Sequence, residues 1–284
     1  MIDIKDLDSL LESQEKMVRG LRPGTEKKIV WANESGVKSS TSVVFIHGFS
    51  ATRFECSPVI DIVAEKLQAN LYFARLRGHG QDGKALADSS FNDFMEDTIE
   101  AIEIGNTIGD KVIVIGSSTG CSLIHVALGQ GVQIKSAVYI SPNFGPKPLK
   151  GQAMRLPAAK FLVPLVFGKN HSFITKSSEH AKCWTTSYPT IALFTIKETV
   201  LAAHQVDHRA IKVPIMMWFS DDDKVVNAKW TRKIASIMGH NVTLHNPSLT
   251  DQDDPSCHGI IGDILSPSQT TIAVKKISNW LAQI

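Results

Sequence analysis

Residues 111–121 read KVIVIGSSTGC, an apolar β-branched run that ends in Gly116-Ser117-Ser118-Thr119-Gly120 and passes at once into a segment of helical character. This is G-x-S-x-G in a strand-turn-helix context. The spacing has a steric cause: the strand-to-helix turn is too sharp for side chains two residues before and two after the serine, and it leaves the hydroxyl exposed on a strained backbone. Chance supplies roughly 0.1 such motif in a chain of this size at ordinary glycine and serine usage. The pentapeptide alone also fits a plain Gly/Ser turn opening a helix; the buried-strand run before it favours a nucleophile at Ser118.

A serine hydroxyl attacks only when a base removes its proton, so a histidine oriented by a carboxylate is required, in chain order Ser, Asp, His. Loops at the C-termini of parallel strands are where such groups gather. The run VPIMMWF at 213–219 is followed by SDDDKVV at 220–226, which offers Asp221, Asp222 and Asp223. His258 stands in PSCHGI, just ahead of the last amphipathic segment. An oxyanion hole needs two inward-aimed backbone N–H groups. One belongs to Thr119, the residue after the serine. SVVFIHGFS at 42–50 offers the other, a strand followed by His47, Gly48 and Phe49, where glycine lets the backbone turn its amides.

Outward from these segments, short β-branched runs recur at 28–31, 42–46, 71–74, 111–115, 136–140, 213–219 and 242–245. Several are apolar throughout, as strands buried on both faces of a parallel sheet must be. Helical periodicity fills the intervals at 54–68, 91–108, 118–128, 228–238 and 267–281, and an opening helix carries Leu7, Leu10 and Leu11 toward Gly20. The alternation predicts a doubly wound α/β domain spanning 1–284. One interval breaks it. From Ser141 to Lys212 the chain is longer than a crossover needs, and its proline-rich start, apolar FLVPLVFG, Trp184 and Tyr188 read as a lid inserted at about 143–210 over the sheet's C-terminal edge.

Composition removes other classes. The chain has 284 residues, 43% hydrophobic and 20% charged, which excludes disordered and fibrous proteins, and its net charge of +2 is too small for a nucleic-acid binder. Four cysteines without a C-x-x-C pair read as reduced thiols, with neither zinc ribbon nor disulfide frame. The acidic, amphipathic start lacks the form of a secretory signal, so a cytoplasmic location is expected, and no apolar run reaches the ~18 residues of a transmembrane helix. His79 in RGHG has no second ligand at metal spacing and reads as a structural turn. GSSTGC lacks the lysine of a phosphate-binding loop. Neither a metal nor a cofactor is called for.

Taken together, HGFS, the RLRGHG segment, GSSTG, SDDDKVV and PSCHG, in this order, resemble the α/β-hydrolase superfamily, and more narrowly its bacterial carboxylesterase and monoacylglycerol-lipase-like branch. The resemblance covers about residues 28–284. It implies a mostly parallel eight-stranded sheet with a lid between strands 6 and 7, Ser118 as nucleophile, Asp223 and His258 as its partners, and Phe49 and Thr119 as oxyanion donors. Its pattern places the acid two residues before a pair of aliphatics, here Val225 and Val226, which are expected to bury and fix the loop. Cys121 departs from the glycine often found there, which puts close helix packing in question. The implied activity is hydrolysis of small to medium acyl esters through an acyl-enzyme, with a small-molecule substrate and no cofactor. The same triad also serves thioester, lactone, amide and carbon-carbon cleavage or acyl transfer, and a non-catalytic binding protein on this fold is the alternative from another class.

Overall fold

The computed structural model describes residues 3–147 and 168–284. A seven-stranded sheet is built from β1 (Lys28–Val30), β2 (Ser42–Ile46), β3 (Asn70–Phe73), β4 (Val112–Ser117), β5 (Ser136–Ile140), β8 (Ile215–Trp218) and β9 (Val242–His245), while β6 (Asn170–Ser172) and β7 (Ser187–Pro189) form a separate antiparallel pair. The order across the large sheet is β1-β3-β2-β4-β5-β8-β9, parallel except for β1. The helices are α1 (Leu7–Lys16), α2 (Val59–Lys66), α3 (Gly83–Asp88), α4 (Phe91–Ile108), α5 (Thr119–Gly129), α6 (Ser178–Cys183), α7 (Leu193–Gln205), α8 (Ala228–Met238) and α9 (Thr270–Leu281).

The central strands are buried along their whole length because both faces are covered. Alternate residues separate the two cores. Val44, Ile46, Val114, Tyr139 and Met217 pack with Phe94, Leu123, Ala203 and Ile234 from α4, α5, α7 and α8. Val43, Phe45, Ile115, Val138 and Trp218 pack on the other side with Val63 and Ile277 from α2 and α9. Leu7 and Leu11 bury the inner face of α1, and Glu15 at its end accepts from Arg75 Nε (2.6 Å) and Nη2 (2.7 Å).

All seven runs read from the sequence become strands of the large sheet. The resemblance implies eight; among the described residues there are seven, because the chain ahead of β1 is spent on α1. The inserted segment accordingly follows the fifth strand of this sheet. The helix expected from Phe54 begins only at Val59, since Ser57 precedes Pro58 and the residue before a proline is driven from the helical region. The described part of the insertion contributes β6, β7, α6 and α7, and α7 lies against α5. Most of FLVPLVFG, with Phe161 and Phe167, lies outside the described residues.

Strand order locates the crevice. The chain winds from β2 outward to β3, then returns past β2 to β4 and continues in the opposite direction. The reversal separates the loops after β2 and β4, opening the cleft where sheets of this type take ligands. The loop after β2 carries Gly48 and Phe49; the loop after β4 carries Ser118.

Candidate active site

Ser118 adopts φ 48° and ψ −109°, a conformation costing about 1–3 kcal/mol for a non-glycine residue. Its surroundings enforce it. Ser118 N donates to Ile140 O (2.8 Å), and Ser118 O accepts from Asn143 N and Cys121 N, both at 3.1 Å. A Cβ on Gly120 would lie 2.2 Å from Ile46 O, and one on Gly116 would lie 2.5 Å from Ile124 Cδ1. These contacts are why the motif needs both glycines. Cys121, by contrast, fits: fully buried, its thiol donates to Gly116 O (3.1 Å) and Ile140 O (3.4 Å), so helix packing survives the departure from glycine.

His258 Nε2 lies 3.0 Å from Ser118 Oγ, and its Nδ1 lies 2.7 Å from Asp223 Oδ2. With Nδ1–H donated to the carboxylate, the Nε2 lone pair faces the serine hydroxyl, the arrangement a base needs. Burial works to lower the basicity of this imidazole, but the charge and hydrogen bond of Asp223, aided by Glu55 and Asp254, outweigh it and hold the pKa above the ordinary histidine value. Asp223 is 1% exposed, and its Oδ1 accepts from Val225 N and Val226 N, both at 2.8 Å. Asp221 turns away to Arg232 and to Asn246 Nδ2 (2.8 Å), and Asp222 is exposed. One expectation is corrected here. Val226 buries at 3% exposure, but Val225 is 48% exposed, so the two valines fix the acid chiefly through their backbone amides rather than by burying as a pair.

The histidine loop is itself clamped. Asp254 Oδ2 accepts from Gly259 N (2.8 Å) and His258 N (3.3 Å), and Ser141 Oγ donates to His258 O (2.6 Å). Lys176 Nζ reaches across from the inserted segment to Asp254 Oδ1 (3.4 Å) and to Asp253 O (3.2 Å). Ser141 and Lys176 escaped sequence reading because their partners are remote in the chain, and Asp254, four residues ahead of His258, because no motif marks its spacing.

On the opposite wall, His47 Nε2 accepts from Leu76 N (3.2 Å), which leaves Nδ1 as the donor to Gly48 O (2.9 Å). Burial lowers the His47 pKa to about 4, keeping it neutral. In a trans peptide N–H and C=O point oppositely; anchoring Gly48 O on His47 therefore directs the Phe49 N–H away from that ring. Thr119 N opens α5, where helix N–H groups have no intrahelical acceptor. Among the described residues no hydrogen bond consumes either N–H. His79 is buried with Nδ1 at 3.1 Å from Arg77 O and its ring 5.7 Å from Phe49, a packing residue of this wall. No set of three or more His, Cys, Asp or Glu among the described residues is disposed to hold a metal ion, and no described helix is long and apolar enough to cross a membrane.

A strained serine, a base in reach of it and a buried acid behind the base form a unit able to generate an alkoxide-like nucleophile beside free N–H donors. Solved structures share the fold. One described with the metagenome-derived lipolytic enzymes LipS and LipT superposes with TM-score 0.74 at 17% identity, covering 93% of this chain and 100% of its own. A monoacylglycerol lipase from Paleococcus ferrophilus gives 0.64 at 15% identity over 90% and 98%, and a soluble variant of monoglyceride lipase from Saccharomyces cerevisiae gives 0.62 at 15% over 91% and 90%. At these identities the likeness is one of fold. A search of curated proteins finds no match. The family described as serine aminopeptidase, S33, matches residues 38–246, a span holding the elbow, the loop after β2 and the acid, and the chain therefore belongs to that family of α/β-hydrolases.

Proposed function

We propose that this protein is a cofactor-free serine hydrolase of carboxylic esters. The observation that carries the reading is the continuous relay that starts at the strained elbow, from Ser118 Oγ through His258 to Asp223, at 3.0 and 2.7 Å. Ser118 Oγ attacks the ester carbonyl as His258 Nε2 takes its proton, and the Phe49 and Thr119 N–H groups receive the charge developing on oxygen. His258 then gives the proton to the leaving alcohol. Water, deprotonated by the same imidazole, releases the acid from the acyl-enzyme. The chemistry needs neither metal nor cofactor.

Small to medium acyl esters, monoacylglycerols among them, are the proposed substrates, with the inserted segment as a lid. Phe173 and Trp184 cluster there with Ala51, Phe54 and Leu265, Tyr188 stands edge-on to Phe49 at 5.3 Å, and Thr185 N donates to Ser50 O (2.7 Å) just beyond the oxyanion loop. Such an apolar wall beside the loop of Phe49 and Ser50 suits an acyl chain. The test is a panel of p-nitrophenyl esters of rising acyl length together with a fluorophosphonate probe. Turnover and covalent labelling are expected; the absence of both transfers the fold to a binding role.

Trp184→Ala is expected to change the octanoate-to-acetate ratio of kcat/KM by about tenfold, within the range that hydrophobic pocket changes produce. The ratio is the readout because truncating a buried tryptophan also costs about 3–5 kcal/mol of stability. An equal loss on all chain lengths argues against a role in acyl selection.

A further inference from the structure

The relay and its N–H donors leave unused one carboxyl that touches both walls of the crevice. Glu55 follows Gly48 by seven residues, in the turns that lead to α2, and Gly48 N donates to its Oε2 at 2.6 Å. A Cβ placed on Gly48 would lie 2.8 Å from Glu55 Oε1 and 3.2 Å from Ser118 Cβ, so the carboxyl, the glycine and the nucleophile converge on a single point. Ser117 stands near enough to favour the charged form of the same carboxyl. The turn around it is closed by Ala51 N donating to Gly48 O (3.2 Å) and Glu55 N to Thr52 O (3.0 Å).

Glycine at position 48 has no side chain to limit its rotation, and a free peptide there would swing the Phe49 N–H out of line. His47 holds only the carbonyl side of this residue. We propose, resting on the esterase reading above, that Glu55 is a positioning residue: by holding the Gly48 N–H it fixes the second side of the glycine and so aims the Phe49 N–H at the acyl oxygen. A charge-assisted bond is suited to this, being shorter and stronger than a neutral one.

The groups facing Glu55 are the Gly48 N–H, Ser117, the buried thiols of Cys56 and Cys121, and His258; those facing His258 are Asp223, Glu55 and Asp254. Burial raises the Glu55 pKa above the usual carboxylate range. Its negative charge favours the imidazolium of His258. Loss of that charge therefore lets His258 deprotonate at lower pH, moving the acid limb of kcat/KM downward.

Three forms decide the matter: wild type, Glu55→Gln, which keeps an acceptor oxygen for Gly48 N–H, and Glu55→Ala, which does not. Each is assayed on an acetyl ester across pH, with circular dichroism as the check on folding. Glu55→Ala is expected to lower kcat about 10²-fold with little change in KM, the scale of a lost oxyanion donor. Glu55→Gln is expected to recover kcat to within about tenfold while its acid limb lies at lower pH than wild type. A folded Glu55→Ala with wild-type kcat overturns the proposal, as does a Glu55→Gln as slow as Glu55→Ala with an unmoved acid limb. A wild type inert to both ester and fluorophosphonate overturns the esterase reading and this inference with it; an active wild type beside an unaffected Glu55→Ala overturns this inference alone.

Discussion

Ser118→Ala is expected to reduce kcat on an acetyl ester on the order of 10⁶-fold, the cost of deleting a triad nucleophile, with the residual rate supplied by the N–H donors and binding alone. The fold should be unaffected. Alanine keeps a Cβ at φ 48°, so the local strain is unchanged, and the hydrogen bonds that hold the elbow, to Ile140 O and from Asn143 N and Cys121 N, are all backbone bonds. What is lost is one hydroxyl whose only described side-chain partner is His258 Nε2. Ser117, one residue earlier, ends β4 and has no hydrogen bond to His258, whose Nε2 is paired with Ser118 Oγ, so Ser117→Ala should stay within about tenfold of wild type. Mass spectrometry of the fluorophosphonate adduct separates the two: modification on Ser117, or its persistence in Ser118→Ala, removes Ser118 from the nucleophile's role.

Asp223→Asn should lower kcat by roughly 10⁴-fold, whereas Asp222→Asn should remain within about tenfold of wild type. The geometry makes the difference. Asp223 Oδ1 is committed to two backbone N–H donors, Val225 N and Val226 N, so an asparagine there keeps its carbonyl oxygen on those amides and turns its NH₂ toward His258 Nδ1. A donor facing Nδ1 selects the imidazole tautomer whose proton sits on Nε2, where it blocks acceptance of the serine proton. The variant also loses the main charge that raises the His258 pKa, so the acid limb of any residual kcat/KM should move to lower pH. Asp222, exposed, has no such contact. A crippled Asp222→Asn beside an active Asp223→Asn places the acid one residue earlier and refutes this register.

Part of this site was legible before any coordinate. Ser118 could be read because its motif is a short fixed spacing: Gly116 is demanded by contacts within one strand-turn-helix unit, and Gly120 by the close approach of the adjacent β2. His258 and an acid in SDDDKVV followed from chain order and loop position. The choice of Asp223 over Asp221 and Asp222 came only from the resemblance, because three adjacent carboxylates are equivalent in sequence. In space they are not: one is buried on two amides, one is tied to Arg232, one faces solvent.

The sequence by itself determined the strands of the large sheet, the burial of the central ones on both faces and the elbow. Each of these depends on residues close in the chain, through periodicity, steric demand at a turn or an uninterrupted apolar run. Tertiary structure alone decided the tie of Lys176 to Asp254 behind the histidine loop, the fit of Cys121 against Ile140, and the placing of Glu55 between Gly48 and Ser118. These depend on distances between groups far apart in sequence, the last of them set by the reversal of winding between β2 and β4. A glutamate seven residues beyond a glycine carries no sign of its own; it becomes part of a site only because that reversal brings two loops to face each other across one crevice.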